Sequence, residues 1–142
     1  METPPPFGLD AALRERLGER LGQFLRDCDG AYGVALSTLD GNPLVHRLDR
    51  DTLHGGKLAA MTSSLLGVGE SIAREVEQRD CQFVILENSD GRLVSLRVDK
   101  YTMLTCITDA ESPLGTVLNS GRSLAGTLAR LLREPPPASP EA

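Results

Sequence analysis

Two histidines and three cysteines are the side chains of this sequence best suited to bind a transition metal or to act as nucleophiles. The histidines are His46 and His54, and the cysteines, Cys28, Cys81 and Cys106, each stand alone among apolar neighbours. Zinc ligands usually come in closely spaced pairs such as C-x-x-C, and the sequence contains no such pair. The sequence therefore predicts no metal site, and it predicts that the cysteines are buried free thiols.

The segment DTLHGGKL, residues 51–58, is the nearest match to a phosphate-binding loop. That loop has the pattern G-x-x-x-x-G-K-[ST], whose backbone amides surround the phosphates and whose hydroxyl reaches the metal ion. Here Asp51 replaces the first glycine, and Leu58 replaces the serine or threonine. We therefore expect no nucleotide at this segment, and we expect Gly55 and Gly56 to open a helix.

Other catalytic and binding patterns are also incomplete. The sequence has no G-x-S-x-G nucleophile elbow, the turn that exposes a catalytic serine in hydrolases. The segment DCDG, residues 27–30, begins like a calcium loop but lacks the later ligands and the terminal Glu. Gly67 and Gly69 do not form a dinucleotide fingerprint, because no strand precedes them and the third glycine is missing. These patterns predict a protein that is not an enzyme and needs no cofactor.

The charge balance also limits the classes of partner. Lys and Arg number 15 and Asp and Glu number 20, which gives a net charge of -5. An acidic chain has no general attraction to nucleic acid or to anionic lipid. The sequence has no apolar stretch of the roughly 18 residues that a membrane-spanning helix needs, and its N-terminus does not resemble a leader. We expect a cytoplasmic protein with no nucleic-acid or membrane partner.

The length and apolar content indicate one domain. The chain has 142 residues, of which 40% are hydrophobic, and this is enough for a single core. We predict that the domain runs over residues 9–133. Proline-rich segments flank it at residues 1–8 and 134–142, and we predict that both are mobile tails because they have little apolar surface to bury.

Apolar spacing predicts a first helix followed by a hairpin. Asp10 can cap the start of this helix and Gly30 its end. The dipeptide Asp40-Gly41 favours a tight turn between the first two strands. The apolar residues of the first helix recur at steps of three and four; they are Leu13, Leu17, Leu21, Phe24 and Cys28.

Three strands and a last helix are predicted in the second half of the chain. The strands are CQFVILE, RLVSLRV and YTMLTCIT, and the helix begins with Ser112 as cap and Pro113 at its first position. With the second helix described below, the order is αββαβββα. The strand CQFVILE is apolar on both faces, so we expect helices on both sides of the sheet. The predicted fold is α/β (α+β), with a five-stranded antiparallel sheet between helices.

Apolar spacing predicts a second amphipathic helix over residues 52–77, with two distinct stripes. We expect the large apolar stripe to face the sheet; it contains Leu58, Met61, Leu65, Val68, Ile72 and Val76. Beside it runs a stripe of small residues, Ala60, Ser64, Gly67 and Ser71. Small side chains let another helix come close, which can offset the roughly 1 kcal/mol that a helical glycine costs. The alternative is that this stripe packs under a loop of its own chain.

The sheet edges supply a second indication of a partner. The expected strand pairing makes the second and third strands the edges. Pro43 protects the second strand, because proline cannot donate to a ladder, whereas the third strand has no proline or lysine to prevent pairing. We therefore predict a two-fold homodimer in which the third strand and the small-residue stripe each meet their copies. The predicted interface is Ala60, Ser64, Gly67, Ser71, Gln82, Phe83, Val84, Ile85 and Leu86.

Several segments of the sequence resemble the roadblock (dynein light chain 7) family. They are GVALSTLDGNPL, KLAAMTSSLLGVGESIA, the apolar third strand with its Asp-Gly hairpin, and S-P-L-G before a leucine-rich helix. The resemblance covers about residues 14–132. Within the family, the chain resembles the prokaryotic single-domain members. It implies a profilin-like sandwich and a homodimer built through the second helix and the third strand.

The resemblance also implies a role. Such proteins commonly bind Ras-like small GTPases, as the bacterial gliding-motility regulators do, or act as dynein light chains and scaffold subunits. The leading hypothesis is a non-enzymatic dimeric regulator or adaptor for a small GTPase. Arg47 and Arg50 lie in a predicted loop and are expected to be solvated, so no arginine is assigned to phosphate chemistry. The alternatives are a ligand-sensing profilin-like domain and an oligomeric scaffold without a GTPase partner.

Overall fold

The computed structural model describes residues 9–134. Residues 1–8 and 135–142, which hold the two predicted proline-rich tails except for Glu134, lie outside the described residues, and the predicted domain bounds remain a prediction. The described elements follow the predicted order. They are α1 (Ala11–Asp27), β1 (Ala31–Thr38), β2 (Pro43–Leu48), α2 (Gly55–Glu75), β3 (Phe83–Asn88), β4 (Gly91–Arg97), β5 (Thr102–Asp109) and α3 (Leu114–Arg133).

The five strands form one antiparallel sheet with the order β2-β1-β5-β4-β3. The prediction that the second and third strands are the edges is therefore confirmed. Gly41 adopts a φ of 101° in the β1–β2 turn, where a side chain would be strained. Pro43 starts edge strand β2 and pairs with Ser37.

The helix ends differ slightly from those predicted. Asp10 caps α1 as expected, since its carboxylate accepts a hydrogen bond from the N–H of Leu13 at 2.8 Å. The helix ends with Cys28 as its cap, and Gly30 instead uses a φ of 88° to lead the chain into β1. Ser112 gives α3 no capping hydrogen bond, because Pro113 occupies the cap position.

Helices α1 and α3 cover one face of the sheet with large apolar side chains. The buried core on this side includes Leu17, Leu21, Phe24, Val34, Leu36, Val94, Leu96, Leu104, Cys106, Val117, Leu124, Leu128 and Leu131. Helix α2 covers the opposite face alone. The predicted helix–sheet–helix arrangement is therefore confirmed, with two helices on one side and one on the other.

Candidate functional site: the outward face of α2 and the β3 edge

Most of the predicted large apolar stripe of α2 points away from the sheet. Met61, Val68, Ile72 and Val76 are between 54% and 61% exposed, and Leu58 and Leu65 are only half-buried. The prediction that this stripe faces the sheet is therefore wrong. The buried side of α2 consists instead of Ala59, Thr62, Leu66 and Ala73.

The composition of the sheet explains this orientation. Strand residues facing α2 alternate with the core residues on the other side, and several are small and polar. Ser37, Ser95 and Thr105 are at most 2% exposed, and the Ser95 and Thr105 hydroxyls are hydrogen-bonded at 2.9 Å. A helix can come close to such a surface only with small side chains, so the larger ones are left outside. The alternating serines and threonines of the strands were the signal available in the sequence.

The small-residue stripe is exposed beside this apolar stripe. Ala60, Ser64, Gly67 and Ser71 all have exposed positions on α2. A Cβ placed on Gly41 would lie 3.5 Å from the Cα of Ala60. The β1–β2 turn therefore approaches the Ala60 end of the small-residue stripe but leaves Ala60 exposed. We call the two stripes together the α2 outward face: Ala60, Met61, Ser64, Gly67, Val68, Ser71, Ile72 and Val76.

The two glycines within α2 have different surroundings. A Cβ on Gly69 would lie 2.7 Å from the Sγ of Cys81 and 3.3 Å from a methyl of Val84, so the helix needs a glycine there to pack on its own chain. A Cβ on Gly67 would meet no atom within 4 Å. Nothing in the described chain therefore requires a glycine at position 67.

The β3 edge lies beside α2. Its backbone pairs with β4 on one side, and no described strand pairs with its other side. Leu86 is 40% exposed, Gln82 precedes the strand in an exposed position, and Phe83, Val84 and Ile85 are half-buried. The predicted interface residues of β3 therefore share one free backbone edge.

The side chains of β3 do not share one face, however. Val84 faces α2, where it neighbours Gly69. Phe83 lies on the opposite side, with the guanidinium of Arg122 in α3 5.1 Å from its ring centre. A partner at this edge could therefore meet the side chain of Val84 next to the α2 outward face. It could meet Phe83, on the opposite face of the sheet, through the backbone edge.

The carboxylate of Glu70 links α2 to the residue Cys81, just before β3, and to the neighbouring strand β4. One Oε of Glu70 accepts a hydrogen bond from the N–H of Cys81 at 3.2 Å and pairs with the guanidinium of Arg97 in β4. Burial and the nearby Glu70 charge raise the pKa of the Cys81 thiol. Cys81 is half-buried, so the prediction of buried thiols is confirmed for Cys28 and Cys106 and wrong for Cys81.

Two arginines lie on or near β2, the other edge strand of the sheet. Arg47 lies within β2, not in a loop as predicted, and its guanidinium sits against α1 at Gly18. The guanidinium of Arg50 lies 3.5 Å from the centre of the Tyr32 ring. Both arginines are therefore held against their own chain.

No group of three or more His, Cys, Asp or Glu side chains among residues 9–134 could hold a metal ion. A cleft of about 350 Å³ between α1 and α3 has an apolar floor of Phe24 and Leu124 inside a polar rim. None of the described helices is both long and apolar enough to cross a membrane.

The sequence model of the Roadblock/LC7 domain matches residues 17–108, which include α2, β3 and the sheet around them. The chain belongs to the Roadblock/LC7 family. The roadblock resemblance seen in the sequence is therefore confirmed. No curated protein sequence matches this Roadblock/LC7 chain significantly.

Solved structures show the same fold. An MglB with a tetrameric arrangement is 23% identical, with a TM-score of 0.83, over 92% of this chain and 97% of that one. The gliding protein MglB from Thermus thermophilus is 22% identical, with a TM-score of 0.82, over 94% and 100%. Profilin II from Acanthamoeba castellanii is 13% identical, with a TM-score of 0.60, over 80% and 97%. The α+β Roadblock/LC7 sandwich is therefore profilin-like, as predicted.

Proposed function

We propose that this Roadblock/LC7 protein is a non-enzymatic, cytoplasmic homodimer that regulates or scaffolds a Ras-like small GTPase. The observation that carries the proposal is the α2 outward face, which exposes large apolar side chains directly beside the β3 edge, with which no described strand pairs. Contiguous exposed apolar surface of this kind marks protein–protein interfaces.

A second copy of the chain fits both parts of this surface. An edge strand can pair with an identical strand across a two-fold axis, which extends the sheet through backbone hydrogen bonds. In the same assembly two α2 helices can pack against each other, with Gly67 allowing close approach and Val68 and Ile72 supplying apolar area. The two contacts are compatible with each other, because a single two-fold axis beside β3 would pair β3 with its copy and pack α2 against its copy.

The GTPase partner is supported by family likeness. Proteins that resemble this chain commonly bind Ras-like small GTPases, and one similar structure is that of a gliding protein. The catalytic contribution we expect is indirect. Arg47 and Arg50 are exposed and each contacts a residue of its own chain, and we assign neither the role of an arginine finger. We infer that the dimer binds one nucleotide state and orders the GTPase's own residues.

The test is affinity capture from native lysate with the intact chain, in GDP and in a non-hydrolysable GTP analogue. The captured GTPase is then purified, and its binding to the chain is measured directly in both nucleotide states. The proposal predicts binding in one state at least about tenfold stronger than in the other. Ile72→Asp is the test variant, and Ala12→Asp, which places the same charge on an exposed position of α1, is the matched control.

The outcomes separate the alternatives. A dimer that binds no GTPase in either state contradicts the regulator and leaves the scaffold. A small molecule that co-purifies, detected by native mass spectrometry, favours the ligand sensor. A chain that remains monomeric at micromolar concentration, by size-exclusion chromatography with light scattering, contradicts the homodimer itself.

A further inference from the structure

Helix α2 is seated on the sheet mainly through small side chains. Its buried residues are Ala59, Thr62, Leu66 and Ala73, and they meet a sheet surface with several serines and threonines. Small side chains make shallow ridges, so their packing alone fixes the position and rotation of a helix only weakly. Directional contacts therefore carry more of the positioning here than they do for a helix with large buried residues.

Two such contacts hold α2. In its N-terminal half the hydroxyl of Ser63 donates a hydrogen bond of 2.6 Å to the backbone oxygen of Leu39, at the β1–β2 turn. In its C-terminal half Glu70 accepts hydrogen bonds from the N–H of Cys81 and from the guanidinium of Arg97. The second contact is at the β3 side of the sheet.

A single carboxylate, that of Glu70, connects α2 to the start of β3 and to the end of β4. Cys81 lies just before β3, and Arg97 ends β4, the only described strand that pairs with β3. The side chains of Glu70 and Arg97 are 21% and 30% exposed, so water screens this ion pair less than one at the open surface. The adjacent residue Gly69 packs against the Cys81 thiol, so helix and strand meet closely at this point.

The ion pair is not arranged for maximum stability. The Nε of Arg97 is buried and has no hydrogen-bond partner among the described residues, and an unpaired buried donor is costly. Partly buried ion pairs of this kind can often be replaced by apolar side chains without loss of stability. Their specific contribution is to favour one relative placement of the elements they join.

We propose that Glu70 is a positioning residue for the dimer interface. Its bonds to Cys81 and Arg97 hold the α2 outward face and the β3 edge in the one relative placement in which both can meet a second copy. This inference rests on the proposed homodimer.

The test compares two ion pairs of the same intact chain. Glu70→Gln removes the charge that binds Arg97, and Glu134→Gln removes the partner of Arg16 on α1, away from the β3 edge, where Glu134 is 49% exposed. Dimer dissociation constants are measured by sedimentation velocity over a concentration series. We expect Glu70→Gln to raise the dissociation constant about tenfold, and Glu134→Gln to change it less than about twofold.

A double variant separates positioning from stability. Glu70→Leu with Arg97→Met replaces the pair with apolar side chains, and we expect the monomer's urea midpoint to stay constant or rise. The dissociation constant of this variant should still be raised about tenfold, because no directional bond fixes α2. A dissociation constant that remains at the wild-type value in both Glu70 variants overturns the positioning role. A wild-type chain that is only monomeric overturns the proposed dimer as well, so the two failures are distinguishable.

Discussion

The two faces of the sheet are covered in opposite ways. On one face α1 and α3 bury large aliphatic side chains, such as Leu21 and Leu128, against Leu104 at the centre of the sheet. On the other face α2 buries mostly small residues and exposes Val68 and Ile72. The first arrangement accounts for folding stability, and the second leaves apolar surface that the chain itself does not cover. The difference teaches that the periodicity of a helix reports its apolar residues but not which side of it meets the core.

The largest expected effect is on the α1/α3 face. Leu104→Ala should lower the free energy of unfolding by about 2–5 kcal/mol, because Leu104 is fully buried and the cavity would not refill completely. Val68→Ala should change it by less than about 0.5 kcal/mol, since Val68 is 56% exposed. Urea denaturation at protein concentrations below the dimer dissociation constant measures both unfolding free energies. Equal losses in the two variants would remove the distinction between the faces.

The next effect is on association. Ile72→Asp should leave the unfolding free energy of the monomer nearly unchanged, because Ile72 is 58% exposed. It should weaken the dimer by about 2 kcal/mol or more, since a charge would be buried at the centre of the interface. Analytical ultracentrifugation gives the dissociation constant, with Ala12→Asp as the matched control. Dimers of wild-type strength in Ile72→Asp would show that the α2 outward face is not the interface.

A smaller effect distinguishes the two glycines of α2. Gly69→Ala should lower the unfolding free energy by about 1 kcal/mol, because the clash with Cys81 exceeds the gain in helix propensity. Gly67→Ala should raise it by up to about 1 kcal/mol, since its Cβ would enter open space. Thermal or urea unfolding of the monomer measures the pair. A loss of stability in Gly67→Ala would mean that the described chain already packs against this position.

The smallest expected effect is a difference in chemical reactivity among the three cysteine thiols, with no change in folding stability. Burial raises the pKa of the Cys28 and Cys106 thiols, and burial with the Glu70 charge raises that of Cys81. Because thiolate is the reactive form, a thiol reagent at pH 8 should modify only half-buried Cys81, more slowly than free cysteine and faster as the pH rises. Cys81→Ser should abolish this modification in the native chain. Rapid reaction of Cys28 or Cys106 would show that the α1/α3 face opens readily.

Most of the fold follows from local signals in the sequence. Asp10 capped the first helix as expected, Gly41 supplied the turn, and Pro43 marked an edge strand. These features depend on residues close together in the chain, so single-sequence reasoning can identify them.

The site was only partly predictable. The exposed small-residue stripe and the β3 edge were identified, but the orientation of α2 was not, because it depends on Ser95 and Thr105 in strands far along the chain. The close approach of Cys81 that requires Gly69 likewise joins separate segments of the chain. So do the bonds of Glu70 to Cys81 and Arg97. No local pattern encodes them.

Hydrogen–deuterium exchange at a low and a high concentration of the intact chain tests the central claim most directly, since it compares the two sheet edges within one molecule. We expect exchange in β3 and in the exposed turns of α2 to slow at the higher concentration, while exchange in β2 does not change. Concentration-independent exchange in β3, or protection that appears in β2 instead, would contradict the proposed dimer interface.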